Sequence, residues 1–242
     1  MKNILIHLNA PKYEWQKEVE PLLKIQIDNS RLYWKREDIW LITNFPYEYN
    51  GIKARVVNDS LFCAFKPTVT KVNVILHLFH QRMIENGELY WFHDLDAFQL
   101  APVIVDFEED MALTDYGVTT IRESYNNRWS TGSWFFKKGA RDIFRKIYVK
   151  SEADLVNEEA ALGRVIKESP SIGQRIKKLN ITYNFATRKR DVDKMLEIAE
   201  KPLKVLHFHP TDTRRLSNGL TNMEYCQTLM AEELKELFKK HL

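Results

Sequence analysis

The sequence predicts an α/β fold in one domain, with a mixed, mainly parallel sheet flanked by helices. Within the first 60 residues, short apolar runs typical of buried strands alternate with a segment of helical periodicity. This is the element order of a parallel α/β layer. No stretch rich in Pro, Gly or Ser and no low-complexity stretch divides the 242 residues. A single compact domain, 1–242, is therefore expected.

The N-terminal part is predicted to hold four strands and two helices. The expected strands are residues 3–8, 38–44, 52–57 and 88–92, and the expected helices are residues 12–27 and 67–86. In the second helix, apolar residues recur every three or four positions from Val69 to Met83, and Asn86-Gly87 is a stop signal. The strand at 88–92 runs directly into His93-Asp94-Leu95-Asp96. Two acidic residues are thus expected at the carboxyl end of a strand.

The C-terminal part continues the alternation. Strands are expected at APVIVDF (101–107), STGSWFF (130–136) and KVLHFHP (204–210), and helices at 140–149, 157–167 and 223–242. The last helix places Leu229, Leu234, Leu237 and Phe238 on one stripe. Such a stripe predicts packing against the core.

Charge and composition exclude several classes of protein. Hydrophobic residues make up 44% of the chain, which excludes a disordered chain. The net charge of +3 is too close to balance to indicate nucleic-acid binding by itself. Residues 175–190 contain six basic and no acidic residues, with Tyr183 and Phe185 between them. This segment is interpreted as a solvated rim, with a polyanion-binding surface as the alternative.

The cysteines and the apolar runs bear on the cellular compartment. Cys63 and Cys226 are far apart and have no metal-ligand spacing, so a disulfide scaffold is not expected. The first apolar run is too short for a signal peptide, and no run reaches the 18 residues or so of a membrane span. The sequence therefore predicts a cytoplasmic protein without a membrane span.

Asp94 and Asp96 are the candidate ligands of a divalent cation. Open α/β sheets bind ligands at the carboxyl ends of their strands. Carboxylate oxygens suit Mg²⁺ or Mn²⁺, and these ions bridge phosphate oxygens. The alternative is that the two aspartates only cap a loop or a helix.

Four short motifs, taken in chain order, resemble those of the GT-A glycosyltransferases. LYWFHDLDAF resembles their DxD segment, and Ser130-Thr131-Gly132-Ser133 resembles the glycine-containing acceptor loop. Asn157-Glu158-Glu159 is similar to their acidic motif at a helix start, and KVLHFHP to the strand that supplies a metal-binding histidine. The resemblance spans about residues 4–209 and implies a GT-A (Rossmann-like) fold.

The resemblance implies a metal-dependent transfer of a sugar from a nucleotide-sugar, with a UDP-sugar favoured, to a hydroxyl acceptor. Residues 1–96 would form the nucleotide-sugar-binding half, and residues 97–242 the acceptor-side half with the C-terminal helix. Mn²⁺ or Mg²⁺ would be bound by Asp94, Asp96 and either His207 or His209. The candidates for binding the donor diphosphate are Lys71, Asn9, Arg214 and Arg215, together with Asp94, which would bind it through the metal. The candidates for binding the acceptor are Thr131, Gly132, Ser133, Trp134 and Asn184. The candidate catalytic residue is Glu159, with Glu158 beside it.

Several alternatives remain open at this stage. An inverting enzyme would use Glu159 as the base that takes the acceptor proton, whereas a retaining enzyme would use it to hold a sugar. A phosphohydrolase of the haloacid dehalogenase type also carries Asp-x-Asp after a strand, but near the chain start and followed by Thr or Val. A non-enzymatic nucleotide or nucleic-acid binder is a further alternative. Small viral and phage enzymes of the GT-A type suggest a viral glycan or hydroxymethylated DNA as the acceptor.

Overall fold

A computed structural model of the protein describes residues 1–10, 19–116, 129–186, 192–208 and 228–241. Three residues with predicted roles, His209, Arg214 and Arg215, lie outside these ranges. The first part of the predicted helix 12–27 and the end of the basic segment 175–190 also lie outside them. The roles assigned to these residues stay predictions.

Strands and helices alternate along the chain, as the sequence predicts. The strands are β1 (Lys2–His7), β2 (Ile39–Thr43), β3 (Glu48–Tyr49), β4 (Ile52–Lys53), β5 (Arg55–Val56), β6 (Tyr90–His93), β7 (Ala97–Gln99), β8 (Met111–Asp115), β9 (Trp129–Phe136), β10 (Ile176–Leu179), β11 (Phe185–Ala186) and β12 (Val205–His207). The helices of the described residues are α1 (Glu20–Tyr33), α2 (Thr70–His80), α3 (Arg141–Asp154), α4 (Glu158–Glu168), α5 (Pro170–Gly173), α6 (Val192–Ile198) and α7 (Glu232–His241).

Seven strands form the central sheet in the order β10-β8-β9-β6-β1-β2-β5. Strand β9 is antiparallel to both of its neighbours, and the other six strands share one direction. The sheet is therefore mixed and mainly parallel, which confirms the predicted fold class. Because β9 is reversed, it begins at the edge of the sheet where β1, β2 and β6 end. This edge is where open α/β sheets bind ligands.

The helix predicted at 67–86 is shorter in the structure. Residues Pro67–Val69 form a short 3-10 helix, and α2 begins at Thr70 and ends at His80. Arg82 then takes a left-handed backbone conformation, with a φ of 58°, which ends the helical path. The apolar residues after His80 are packed in a segment without regular secondary structure. Because their spacing continues that of the helix, the predicted helix is too long.

Segment 101–107 is not a strand, although the sequence predicts one. The segment is extended and alternates in burial: Val103 and Phe107 are buried, whereas Ile104 is 77% exposed. It has no assigned strand pairing, and Pro102 has no N–H to offer to a ladder. Its alternation instead reflects packing of Val103 and Phe107 against the central sheet.

Both faces of the central strands are covered. Every residue of β6 and of β9 is buried, including the polar residues Ser130, Thr131 and Ser133 of β9. On one face, Trp134 and Phe136 pack in a cluster with α2, α3 and α4. On the other face, Phe135 packs in a cluster with segment 101–107. The residues that directly follow or precede these buried strands are therefore attached to a rigid part of the structure.

A three-stranded sheet, β11-β12-β7, lies beside the central sheet. Strand β12 is antiparallel to β7, with His207 paired to Ala97. Helix α7 packs against this sheet, since the ring of Phe238 lies 5.2 Å from Phe98 and 5.8 Å from Phe208, measured between centroids. The prediction that the C-terminal stripe packs on the core is confirmed for this helix.

The last turn of α7 is bound to helix α1. Nζ of Lys240 and Nε2 of His241 each lie 2.9 Å from Oδ2 of the buried Asp28. The aromatic contacts and this anchor together hold α7 against the sheet that carries His207.

None of the helices in the described part of the chain is long and apolar enough to cross a membrane.

Candidate metal centre

Asp94 and Asp96 lie in a tight turn that directly follows β6. The N–H of Ala97 donates to the carbonyl of Asp94 at 3.0 Å and closes the turn. The N–H of Asp94 donates to the carbonyl of Gly132 in β9 at 2.9 Å. The N–H of Phe208, after β12, donates to the carbonyl of Asp96 at 2.8 Å. Both neighbouring strands thus fix the backbone of the acid pair, which lies at a strand end as predicted.

His207 is the last residue of β12 and points its ring at the acid pair. Its Nε2 lies 3.3 Å from Oδ1 of Asp96 and 4.0 Å from Oδ2 of Asp94. One ligand atom from each of the three residues lies within 4.8 Å of the others. The structure therefore brings together three of the four predicted metal ligands, and the fourth, His209, lies outside the described residues.

Asn184 orients the ring of His207. Oδ1 of Asn184 lies 3.0 Å from Nδ1 of His207, and Nδ2 of Asn184 donates to Oγ of Ser130 at 2.6 Å. Because an amide oxygen only accepts, Nδ1 carries the hydrogen in this arrangement, and Nε2 faces the two carboxylates. Histidines that bind metals are commonly held in this way by a partner on the other ring nitrogen.

Gly132 makes room for the same imidazole ring. A Cβ atom at this position would lie 2.2 Å from Cε1 and 2.4 Å from Nδ1 of His207. Both distances are far below any van der Waals contact, so a residue with a side chain at this position would displace the ring. The requirement for glycine comes from this close approach in the middle of a strand.

Lys71, in the first turn of α2, is a buried cation next to the acid pair. Its Nζ lies 2.9 Å from Oδ1 of Asp94, 2.9 Å from Oε1 of Glu158 and 3.1 Å from the carbonyl of Thr131. These oxygens use its three N–H groups. Burial lowers the pKa of Lys71, but Asp94 and Glu158 outweigh burial and raise it well above its usual range. Lys71 therefore holds Asp94 and Glu158 together as a permanent cation.

Glu158 and Glu159 form the first turn of α4, which Asn157 caps by accepting from the N–H of Ala160 at 2.9 Å. Oε1 of Glu158 accepts from Oγ1 of Thr131 at 2.9 Å, and Oε1 of Glu159 accepts from the N–H of Thr131 at 3.1 Å. Both glutamates are thus attached to the start of β9, at the edge that carries the acid pair.

The two glutamates differ in their electrostatic surroundings. Burial raises the pKa of Glu158, but Lys71 and other hydrogen-bond donors outweigh burial and bring it below its ordinary value. Burial also raises the pKa of Glu159, and the N–H of Thr131 offsets only part of that rise. Neighbouring carboxylates whose pKa values are pushed apart are suited to different tasks. Glu158 is therefore held as an anion beside Lys71, whereas Glu159 is the glutamate of the two that takes up a proton more readily.

The whole cluster carries an excess of negative charge, with four carboxylates around one lysine. Burial raises the pKa of Asp94, the ammonium of Lys71 opposes the rise, and the charge of Asp96 adds to it. Burial lowers the pKa of His207, but Asp96 and Asp94 outweigh it and raise the pKa above the ordinary value. A proton on Nε2 and a cation therefore compete for one place, and cation binding should weaken as the pH falls.

The predicted acceptor residues do not form an exposed loop. Residues 129–136 are one continuous strand, and Thr131, Ser133, Trp134 and Asn184 are each at most 1% exposed. Oγ of Ser133 accepts from the indole N–H of Trp91 at 2.9 Å, and Trp134 packs against Phe144. These side chains are enclosed by the protein, where they support Lys71, His207 and the core. The acceptor role assigned to them stays a prediction.

The two donor-side predictions within the described residues have different outcomes. Lys71 is occupied by carboxylates, so no N–H remains for a diphosphate in this arrangement. Asn9 follows β1 at the ligand-binding edge, and its backbone N–H and carbonyl both hydrogen-bond the side chain of Asn44, at 2.8 and 3.1 Å. Asn9 thus has a fixed backbone in a position suited to a ligand.

Replacement of Asn184 by leucine should weaken cation binding by about 10- to 100-fold, because the ring of His207 would lose the acceptor that orients it. Titration of the purified variant with Mn²⁺, followed by electron paramagnetic resonance, measures this effect. Thr182→Val, which removes a buried hydroxyl of the neighbouring segment that does not contact His207, serves as the control. Equal Mn²⁺ affinity of the Asn184 variant and the wild type would contradict the role assigned to this residue.

Solved structures with the same fold are glycosyltransferases. A glycosyltransferase involved in the glycosylation of the major capsid of PBCV-1 is 12% identical, with a TM-score of 0.56, and the match covers 98% of each chain. The galactosyltransferase LgtC, in complex with donor and acceptor sugar analogues, is 12% identical with a TM-score of 0.54, over 98% of this chain and all of that one. The glycosyltransferase GlyE of Streptococcus pneumoniae TIGR4 is 12% identical with a TM-score of 0.56, over 99% of this chain and 63% of that chain.

No protein-family model and no curated protein matches the sequence. The likeness is therefore one of structure, and it extends over nearly the full length of the chain. With its mainly parallel sheet, and with an Asp-x-Asp turn at the carboxyl end of β6, the chain has the GT-A fold of glycosyltransferases.

Proposed function

We propose that the protein is a metal-dependent glycosyltransferase that moves a sugar from a nucleotide-diphosphate sugar to a hydroxyl acceptor. The observation that carries the proposal is the convergence of Asp94, Asp96 and His207 on one point at the ligand-binding edge of a GT-A fold. A UDP-sugar is the favoured donor, and Mn²⁺ or Mg²⁺ the favoured cation.

The residues present fit a divalent cation. Two carboxylates and one imidazole nitrogen are ligands that Mn²⁺ accepts, and the excess negative charge of the cluster is reduced when a cation binds. The ring of His207 already has its other nitrogen held by Asn184, and Gly132 leaves the space that the ring occupies. Asp94, Asp96 and His207 would hold the cation, and it would supply positive charge to offset the charge that develops on the leaving phosphate.

The other charged residues of the cluster have separate tasks in this proposal. Lys71 fixes the carboxylates of Asp94 and Glu158, so neither has to reorganise when the donor binds. Glu159 is the candidate catalytic carboxylate, because it is the glutamate of the two whose pKa is raised, and its Oε1 is held by the N–H of Thr131 at the edge that carries the acid pair. In an inverting reaction it would take the acceptor proton, and in a retaining reaction it would hold a sugar hydroxyl. Asn9, with its fixed backbone, is proposed to contact the nucleotide.

The acceptor is proposed to be a glycan, with a hydroxymethylated DNA base as the competing hypothesis. The described part of the basic segment includes Lys177 and Lys178, which are exposed on the edge strand β10. Binding to DNA through such residues would fall steeply with salt concentration. Absence of measurable DNA binding at low salt would exclude the DNA hypothesis. We further propose that the enzyme acts in the cytoplasm, consistent with the unpaired and buried Cys63.

A donor screen tests the proposed function. Purified protein is incubated with UDP- and GDP-sugars and Mn²⁺, and release of the nucleoside diphosphate is measured with and without a chelator. Hydrolysis of one donor that stops on chelation is the expected result. Turnover that is unaffected by the chelator, or no turnover with any donor, would overturn the proposal.

Glu159→Gln and Glu158→Gln should differ in kind. The first should lower kcat by about 10²-fold or more and leave Mn²⁺ affinity within about twofold, because Glu159 is not among the ligands. The second should weaken Mn²⁺ binding and lower the free energy of unfolding, because it leaves the buried Lys71 with one anionic partner fewer. Steady-state kinetics and Mn²⁺ titration of both variants check this. Identical profiles for the two variants would show that the roles are not divided in this way.

A further inference from the structure

Gln26 is a fully buried polar residue on the face of α1 that packs against the sheet. It is 0% exposed and lies between Ile25 and Ile27, which are also 0% exposed. Burying an amide without hydrogen bonds would cost roughly 2 kcal/mol or more. A helix that only packed against the sheet would be better served by an apolar residue at this position. An amide at this position is therefore expected to have specific hydrogen-bond partners.

The side-chain amide of Gln26 donates to the turn that carries the acid pair. Its Nε2 lies 2.7 Å from the carbonyl oxygen of Ala97 and 3.2 Å from the carbonyl oxygen of Asp94. It also lies 2.9 Å from Nδ1 of His93, the residue that precedes the turn. The amide thus contacts both residues that close the turn, Asp94 and Ala97, with Asp96 between them.

His93 is in turn held by the first strand. Its Nε2 lies 2.9 Å from Oδ1 of Asn3, and Nδ2 of Asn3 donates to Oγ of Ser30 at 3.1 Å. Gln26, Asn3 and His93 therefore form a buried polar network that joins α1, β1 and β6 directly beneath the turn. The hydrogen bonds of the three residues go to one another, to Ser30 and to the carbonyl groups of Asp94 and Ala97, and not to the two carboxylates.

We propose that Gln26 is a positioning residue for the cation site: its amide fixes the carbonyl groups of Asp94 and Ala97 and so sets the direction of the two carboxylates. This inference rests on the proposed cation-dependent function. The turn has a hydrogen bond on each remaining side, to Gly132 and from Phe208. If the hydrogen bonds from Gln26 are removed, the side of the turn that faces α1 is no longer fixed. The carboxylates of Asp94 and Asp96 then no longer both point toward Nε2 of His207.

Asn29, one turn further along α1, provides a matched control. It is 1% exposed, and its amide exchanges two hydrogen bonds of 2.9 Å with the backbone of Gln99, at the far end of β7. Asn29 and Gln26 therefore have the same helix, the same burial and the same kind of partner. They differ in where their partners lie: Gln26 binds the turn that carries the acid pair, whereas Asn29 binds Gln99, which lies beyond that turn.

The test compares Gln26→Met with Asn29→Leu in the full chain. Mn²⁺ affinity is measured by electron paramagnetic resonance, and the free energy of unfolding by urea denaturation without metal. Both variants should lose stability. We expect Gln26→Met to bind Mn²⁺ about 10-fold or more weakly than wild type, with an altered bound-ion spectrum, and Asn29→Leu to stay within about twofold. If Gln26→Met does not fold, Gln26→Asn, which keeps the amide but withdraws it from both carbonyls, replaces it.

Two results would overturn the inference while leaving the proposed function intact. One is wild-type Mn²⁺ affinity and spectrum in the Gln26 variant. The other is an equal loss of affinity in the Gln26 and Asn29 variants, since that would reflect general loosening of α1. A wild-type protein that binds no Mn²⁺ at all would instead overturn the proposed function, and this inference with it.

Discussion

Asp96→Asn is expected to abolish sugar transfer and to leave the metal-free protein at least as stable as the wild type. The variant removes one of three candidate ligands and one negative charge, so donor turnover should fall by about 10²–10³-fold or more. In the metal-free protein, at a pH where His207 is neutral, the same charge repels Asp94, whose pKa it raises. An amide at this position keeps a hydrogen-bonding group and relieves that repulsion. Donor turnover with Mn²⁺ and urea denaturation in a chelator measure the two effects.

Asp142→Asn is the matched control for this prediction. Asp142 binds the guanidinium of Arg175 at 2.6 Å, next to the end of β9 that is remote from the acid pair. Its loss should lower the free energy of unfolding by at most about 1 kcal/mol, because the pair is half exposed, and should leave turnover unchanged. The two aspartates should thus show opposite patterns of stability and activity. A clear loss of stability in metal-free Asp96→Asn would mean that the acid pair is a structural element and not a cation site.

The fold could be predicted from the sequence because the strands of a buried parallel sheet leave a strong signal. Strands β1, β2 and β6 are mainly apolar runs, and the structure has these strands, together with β9, within a few residues of the predicted positions. The acid pair could be placed because it directly follows one of these runs. Segment 101–107 shows the limit of this reasoning. Its alternation is that of a strand, but pairing depends on whether another strand lies beside it, and that is a property of the tertiary fold.

The contacts inside the site could not be predicted from the sequence to the same extent. The acceptor role of Thr131 is predicted because Ser130-Thr131-Gly132-Ser133 resembles the glycine-containing acceptor loop of the GT-A glycosyltransferases. The structure adds a requirement for glycine that this resemblance does not give, which is the close approach of His207 from a strand 75 positions further along the chain. Such a contact leaves no local pattern. Asn184 is among the predicted acceptor residues, and in the structure its amide binds the ring of His207 and the hydroxyl of Ser130.

Gln26 was missed, although a signal for it exists in the sequence. It lies three and four positions after Leu23 and Leu22, and therefore on the apolar face of the predicted helix. A polar residue on such a face needs a buried partner. This requirement holds for polar residues inside helices as well as for those inside strands. The identity of the partner still requires the structure, since the partner is a backbone carbonyl in a distant turn.

Gly132→Ala is expected to have the second largest effect, and its cause can be isolated. The added Cβ would lie 2.2 Å from Cε1 of His207, so the ring has to leave its position between Asn184 and the acid pair. The variant should lose about 1–3 kcal/mol of stability through overpacking, and it should bind Mn²⁺ about 100-fold more weakly, the upper end of what loss of ligand orientation costs. Gly173→Ala, where the nearest atom is Cγ2 of Ile166 at 3.1 Å, should leave Mn²⁺ binding unchanged.

A double-mutant cycle with His207→Ala separates the clash from any other effect of the extra methyl group. Without the imidazole, the three atoms nearest to the added Cβ are gone, and the substitution should no longer destabilise the protein. It should even add about 0.5–1 kcal/mol, because a glycine inside a strand loses more conformational freedom on folding than an alanine does. The sign of the stability change should therefore reverse between the two backgrounds. An equal loss of stability in the wild-type and His207→Ala backgrounds would mean that the strain lies elsewhere in β9. The requirement for glycine would then be unrelated to His207, and hence to the cation site.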